Sequence, residues 1–281
     1  MVDVPPDLVA AALGALGVDD VSAIGSPAGQ KAVRHVRRGG ENLVLKVIAV
    51  QASAPDVLKR GTREVELLAA LDCEHVVKVA SDLIELGDPP SGAAWLEEFL
   101  DGEDLSSLVG AGPWSWADAA DMARQVAAGL AVAHRQRVVH RDLSANNVRR
   151  LSSGTYKVID FGFARFTLRS GLTVAGQPGT PGFMTPEHFN SYSGSPMPAS
   201  DVFAVGTLIY LALTGGVPFP WYGDEAEYAT RLRAAQMTDV ASARPDLTAD
   251  QADLVRRCLH QQPARRFPIA GKLVQALEKL R

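Results

Sequence analysis

The apolar pattern of this chain changes character once, at Asp101-Gly102, and that change restricts the folds open to it. From residue 21 to residue 98 the pattern is strand-rich. Ala32 to Arg37 and Asn42 to Ala49 flank the turn Arg38-Gly39-Gly40-Glu41 and predict a hairpin. Val76 to Leu86 and Ala93 to Phe99, separated by Gly87-Asp88-Pro89-Pro90-Ser91-Gly92, predict two more strands. Arg60 to Leu71 interrupts them with Val65, Leu67, Leu68 and Leu71 at helical spacing. Beyond the change, Trp116 to Arg135 predicts a long helix and Val138 to Ile159 a strand-loop-strand region. An irregular stretch runs to about Ser200, and helices dominate from Asp201 to the end. Leu8 to Leu16 predicts a short helix ahead of everything else. The expected class is α+β: residues 1–20 a helical extension, 21–100 a small β-rich lobe with one helix, and 101–281 a larger helical lobe.

Bulk properties exclude several function classes. The 281 residues are 47% apolar, enough for an extensive core, and carry a formal charge of -4. Such a balance gives no general field for nucleic acid or anionic lipid, so neither is expected as a partner. Cys73 and Cys258 stand far apart and read as small buried apolar residues, and the six histidines have no metal-ligand spacing. Asp3 and Asp7 with no basic region make Leu8 to Val18 a poor signal peptide. The longest apolar run, Val202 to Leu213, is too short to span a bilayer and predicts a buried helix. The expected location is cytoplasmic.

Four polar features sit where a purely structural reading is strained. Lys46 interrupts the apolar strand Leu43-Val44-Leu45-Lys46-Val47-Ile48. A lone lysine there is most often an edge-strand charge facing water; the functional reading is a cation for a phosphate. Glu64, with Glu66 as competitor, offers it a carboxylate from the next helix, where the bland reading is a solvated charge. His140-Arg141-Asp142-Leu143, with Asn147 five residues after Asp142, pairs a carboxylate that can accept a proton with an amide oxygen that can hold a metal ion. Asp160-Phe161-Gly162, at a strand end, supplies a carboxylate suited to magnesium.

In this order, after a glycine-containing loop, the motifs resemble the protein-kinase family, and in particular the bacterial, eukaryotic-like serine/threonine protein kinases. Thr185-Pro186-Glu187 stands where the family has A-P-E, Asp201 begins a segment like its D-V-W-S-L-G, and Pro263 with Arg266 matches its P-x-x-R, whose arginine should pair with Glu187. The resemblance implies a bilobal kinase fold and transfer of the γ-phosphoryl of ATP to a serine or threonine hydroxyl of a protein. Lys46, oriented by Glu64, would contact the α- and β-phosphates; Asn147 and Asp160 would hold Mg2+; Asp142 would orient the hydroxyl and take its proton. Ile24, Gly25, Gly29, Lys31, Val33, Val44, Glu98 and Leu100 would line the nucleotide with Lys46, Asn147 and Asp160. Leu68, Phe161 and His140, anchored by Asp201, would form an apolar spine. Thr167, Ser170 and Thr173 would be acceptors whose phosphate Arg141 could bind, which implies autophosphorylation in trans within a homodimer. Thr180 would hydrogen-bond near Asp142.

The chain also departs from the family pattern. Its loop, Ile24-Gly25-Ser26-Pro27-Ala28-Gly29-Gln30-Lys31, has two glycines, and Pro27 removes a backbone donor, which Lys31 could offset. Ser144 replaces the usual lysine two residues after the catalytic aspartate. Val44 stands where a smaller residue covers adenine, Arg149 where an apolar residue forms the floor, and Glu97 at the gate behind the pocket. The loop and pocket departures motivate one alternative, a nucleotide-binding pseudokinase scaffold; a kinase-fold enzyme acting on a small molecule is the second. Retention of Lys46, Asp142, Asn147 and Asp160 together argues against the first, and the complete 179–187 segment against the second.

Overall fold

The computed structural model describes residues 4–24, 31–50, 57–162, 165–166, 180–189 and 197–280. The chain divides into two units, residues 1–72 with 76–101, and residues 73–75 with 102–281.

The first unit opens with α1 (Pro6–Leu16), which has proline in its first turn and stops at Gly17 in the left-handed conformation (φ 61°). β1 (Asp19–Ala23), β2 (Lys31–Arg38) and β3 (Glu41–Ala49) follow, then α2 (Val57–Ala70), β4 (Ile84–Leu86) and β5 (Gly92–Glu98). The five strands form one antiparallel sheet in the order β1-β2-β3-β5-β4. β3 is paired on both sides, so the edge-strand explanation of Lys46 does not hold. Because side chains alternate across a strand, β3 serves two cores. Leu43, Leu45, Val47 and Ala49 join Leu8 and Ala12 of α1, while Ile48 joins Trp95 and the α2 residues Val57 and Val65. Lys46 lies on the Ile48 face.

The strand expected over Val76 to Leu86 is corrected: only Ile84–Leu86 is a strand, with one isolated bridge from Val79 to Glu97. The segment before it bonds β5 at intervals instead, through Ala80 N to Leu96 O (2.7 Å) and Glu98 N to Lys78 O (2.9 Å). Side chains complete the set, with Lys78 N donating to Glu98 Oε1 and Leu96 N to Ser81 Oγ. Side-chain acceptors of this kind compete with a continuous ladder.

The second unit contains β6 (Gly102–Asp104), α3 (Leu105–Leu108), α4 (Trp116–Arg135), β7 (Val138–Val139), β8 (Val148–Leu151), β9 (Tyr156–Val158) and β10 (Arg165–Phe166). α5 (Pro198–Thr214), α6 (Glu225–Arg233), α7 (Val240–Ala243), α8 (Ala249–Cys258) and α9 (Ala270–Leu277) complete it. Ser115 caps α4 by accepting from Asp118 N (3.1 Å). α4 buries Met122, Val126 and Leu130 against α5 and α9. α5 is buried along nearly its whole length, as its uninterrupted apolar run requires, and starts at Pro198 with Asp201 in its first turn. β6, β8 and β9 form a small sheet, and β10 pairs with β7. Among the described residues, no helix is long and apolar enough to cross a membrane.

Candidate functional site

In the first unit, Lys46 is 6% exposed and lies between two buried carboxylates. Its Nζ is 3.1 Å from Glu64 Oε1 and also contacts Glu97 Oε1. Burying an ammonium requires such partners. Glu66, the competitor, is exposed, because α2 turns one stripe to the sheet and residues two apart do not share a face. Trp95 Nε1 donates to Glu97 Oε1 (3.0 Å), and its ring lies 5.7 Å from the Lys46 ammonium. Lys31 Nζ reaches within 3.9 Å of Glu64 Oε1. Ile24, Val33 and Val44 are half-buried, and Ile24 N donates to Val33 O (3.0 Å). Leu100 is buried, and the Glu98 carboxylate accepts from Lys78 N (2.8 Å). Gly25 and Gly29 lie outside the described residues.

The second unit builds its loop around Asp201, which is 1% exposed. Ala270 N donates to His134 Nδ1 (3.1 Å), so His134 Nε2 carries the proton and donates to Asp201 Oδ2 (2.9 Å). His140 N also donates to Oδ2 (2.9 Å), and Arg141 N to Oδ1 (3.0 Å). Burial works to raise the Asp201 carboxyl, but these donors outweigh it and hold the group below the usual carboxylate range. Arg141 takes φ 74°, a conformation a non-glycine residue keeps only when its surroundings impose it.

Asp142 follows directly. Its Oδ1 accepts from both N and Oγ1 of Thr180, each at 2.9 Å. Asn147 Nδ2 donates to Asp142 O (2.7 Å) and lies 3.4 Å from its Oδ2. Because that nitrogen is the donor, the amide oxygen is the acceptor atom of the Asn147 side chain. Ile159 N donates to Asn147 O (3.0 Å), which ties this turn to the residue before Asp160. Asp160 takes φ 61° and accepts from Gly162 N (3.2 Å). A carboxylate and an amide oxygen are the hard donors magnesium prefers, so the residues present fit that ion. The Phe161 and His140 rings meet edge to face, 4.6 Å apart, and Leu68 is buried in the first unit. Ser144, two residues after Asp142, is 1% exposed and its Oγ is buried without a hydrogen-bond partner. Arg149 is committed to Asp104 Oδ1 (2.8 Å) and Gly102 O (2.6 Å). Thr167, Ser170 and Thr173 lie outside the described residues.

Two features went unread in the sequence. His188 bridges Thr185 N, which donates to its Nδ1 (3.0 Å), and Arg141 O, which its Nε2 reaches at 3.1 Å. Burial holds its imidazole below the ordinary range. The other is the contact of Glu97 with Lys46, which only the pairing of β3 with β5 brings about.

A model of the protein kinase domain matches residues 19–277. The chain is 30% identical over 254 residues to the serine/threonine-protein kinase drp72 of Corynebacterium efficiens, covering 86% of this chain and 47% of the relative. It is 32% identical to the serine/threonine-protein kinase PkaA of Streptomyces coelicolor (85% and 43% covered). It is 31% identical to the serine/threonine-protein kinase PknD of Mycobacterium tuberculosis (83% and 35% covered). The chain thus spans less than half the length of these relatives. With a family match that takes in both units and every motif from Lys46 to Arg266, the chain belongs to the protein kinase family.

Proposed function

We propose that this chain is an ATP-dependent serine/threonine protein kinase that transfers the γ-phosphoryl of Mg-ATP to a protein hydroxyl, its own activation segment included. The observation that carries the reading is the setting of Asp142. One carboxylate oxygen is saturated by Thr180, and the backbone on either side is held by Asp201 and Asn147.

Oδ1 takes both Thr180 bonds, whereas Oδ2 has only the long 3.4 Å contact from Asn147 Nδ2, so Oδ2 receives the hydroxyl and Asp142 takes its proton as the oxygen attacks phosphorus. Lys46 takes α- and β-phosphate oxygens of the nucleotide. Asn147 and Asp160 offer oxygens to the divalent cation. Magnesium, when bound, neutralises charge on the bridging and terminal phosphate oxygens. With no lysine two residues after Asp142, the residues named here supply no second cation to the moving phosphoryl group, and a slow turnover is the expected consequence.

The test is incorporation of radiolabelled phosphate from ATP, with peptides mapped by mass spectrometry. Asp142→Asn is expected to lower incorporation by about 10³-fold or more with thermal stability unchanged. Equal incorporation by both proteins would defeat the proposal. Label on a metabolite but on no protein would redirect it to a small-molecule acceptor.

A further inference from the structure

Lys46 has one more carboxylate than its role needs. Glu97 is 3% exposed, Glu64 5% and Lys46 6%, so all three ionisable groups are withdrawn from water together. The charges alternate in space: Lys31 approaches Glu64, Glu64 approaches Lys46, and Lys46 contacts Glu97. In the contacts named here each buried carboxylate faces an ammonium, which is what burial of such groups requires.

The two carboxylates are held in different ways. Glu64 comes from α2 and is shared with Lys31. Glu97 comes from the sheet itself. Lys46 stands opposite Trp95, and Val44 opposite Glu97, so Lys46, Trp95 and Glu97 share one face of two hydrogen-bonded strands. The indole N–H of Trp95 fixes the Glu97 carboxylate, and the indole ring lies beside the ammonium.

We propose that Glu97 is a positioning residue: a sheet-borne anchor that keeps Lys46 oriented toward nucleotide phosphates when Glu64 is withdrawn. The inference rests on the kinase reading above. It makes Lys46 less dependent on α2 than a single helix-borne carboxylate would.

The test uses the full chain as wild type, Glu64→Gln, Glu97→Gln and the double variant, with initial rates measured across ATP concentrations. Each single variant is expected to lose less than about 10-fold in kcat, and the double variant roughly 10²-fold or more. Glu97→Asp should recover part of the Glu97→Gln loss, which a merely space-filling role would not produce. Glu64→Gln falling as far as the double variant, with Glu97→Gln at wild-type kcat and KM, would overturn the proposal.

A second measurement needs no turnover. Acylation of Lys46 by an N-hydroxysuccinimide ester, read on its peptide, should be several-fold faster in Glu97→Gln, since the amine then loses a carboxylate that holds it in place. Unchanged acylation counts against the anchor. Acceleration in a protein that transfers no phosphate would sink the kinase reading alone. Should Glu97→Gln fail to fold, Glu97→Met fills the same space without charge and carries both measurements.

Discussion

Arg266 is the most fully served side chain in the described residues. It is 1% exposed, and all five N–H donors are used: two on the Glu187 carboxylate at 2.8 and 3.0 Å, the others on His260, Ala199 and Gln261 carbonyls. Removing it leaves Glu187 charged and buried, with only Ser200 Oγ donating to it (2.7 Å) among the bonds described. Arg266→Ala is therefore expected to lower unfolding free energy by about 3–5 kcal/mol, measured by urea denaturation. Arg266→Lys should recover little, because an ammonium cannot meet a carboxylate in the same forked way. Gly206 on α5 makes a different demand: a Cβ there would stand 2.5 Å from the Cys258 Cβ. Gly206→Ala is expected to cost roughly 1–3 kcal/mol in the same assay. The Arg266 pairing was legible in the sequence through its distance-independent motif, and Lys46 through its intrusion into an apolar strand. Gly206 was not legible as a close contact, because its neighbour lies on another helix. Glu97 was legible only as a gate position, since its contact depends on strand register.

α1 and the turn at Pro186–Phe189 show the same division among elements. α1 was read from spacing alone, but its destination was not. It covers the sheet face formed by Leu43, Leu45 and Val47, with Leu8 so close to Gly92 that a Cβ there would meet the Leu8 Cδ2 at 2.6 Å. The family match begins at residue 19, after α1, yet Leu8→Ala should destabilise the protein by about 2–3 kcal/mol. A loss under about 0.5 kcal/mol in urea would mean that α1 contributes nothing to this unit. At Pro186–Phe189 the sequence offered a histidine after the A-P-E-like motif and nothing about its partners. Burial depresses the His188 pKa, although the Arg141 carbonyl and Glu187, Asp142 and Asp201 act in the opposite direction. The unfolded chain therefore binds this proton more readily than the folded one. The neutral ring's contribution is complete above about pH 6.5 and is lost as pH falls below it. His188→Gln keeps a donor and an acceptor without titrating. Its Tm should fall less than the wild-type Tm between about pH 7.5 and 5.5, while His260, shifted in the same direction by burial, contributes equally to both. Identical slopes would remove His188 from the account.

The division of the chain at Asp101-Gly102 was visible as a change in apolar pattern, whereas the placement of residues 73–75 was not. These three residues belong to the second unit although the chain on both sides belongs to the first. Local composition gives no sign of this, because the partners are more than fifty residues away. His75 O accepts from Val158 N (2.9 Å), and His75 Nδ1 meets Tyr156 O (3.1 Å). Gly129 of α4 lets that backbone approach, since a Cβ there would lie 2.6 Å from His75 O. A fragment of residues 102–281 would thus leave the Val158 N–H unpaired and an open groove along α4. Joining residues 72–77 ahead of it through a short glycine-serine linker should restore both bonds and raise the unfolding free energy by about 1–3 kcal/mol. The gain should disappear when Gly129→Ala closes the groove, because the added segment then has nowhere to lie. A gain that survived this substitution would show that the six residues act through the unfolded chain rather than by docking beside β9.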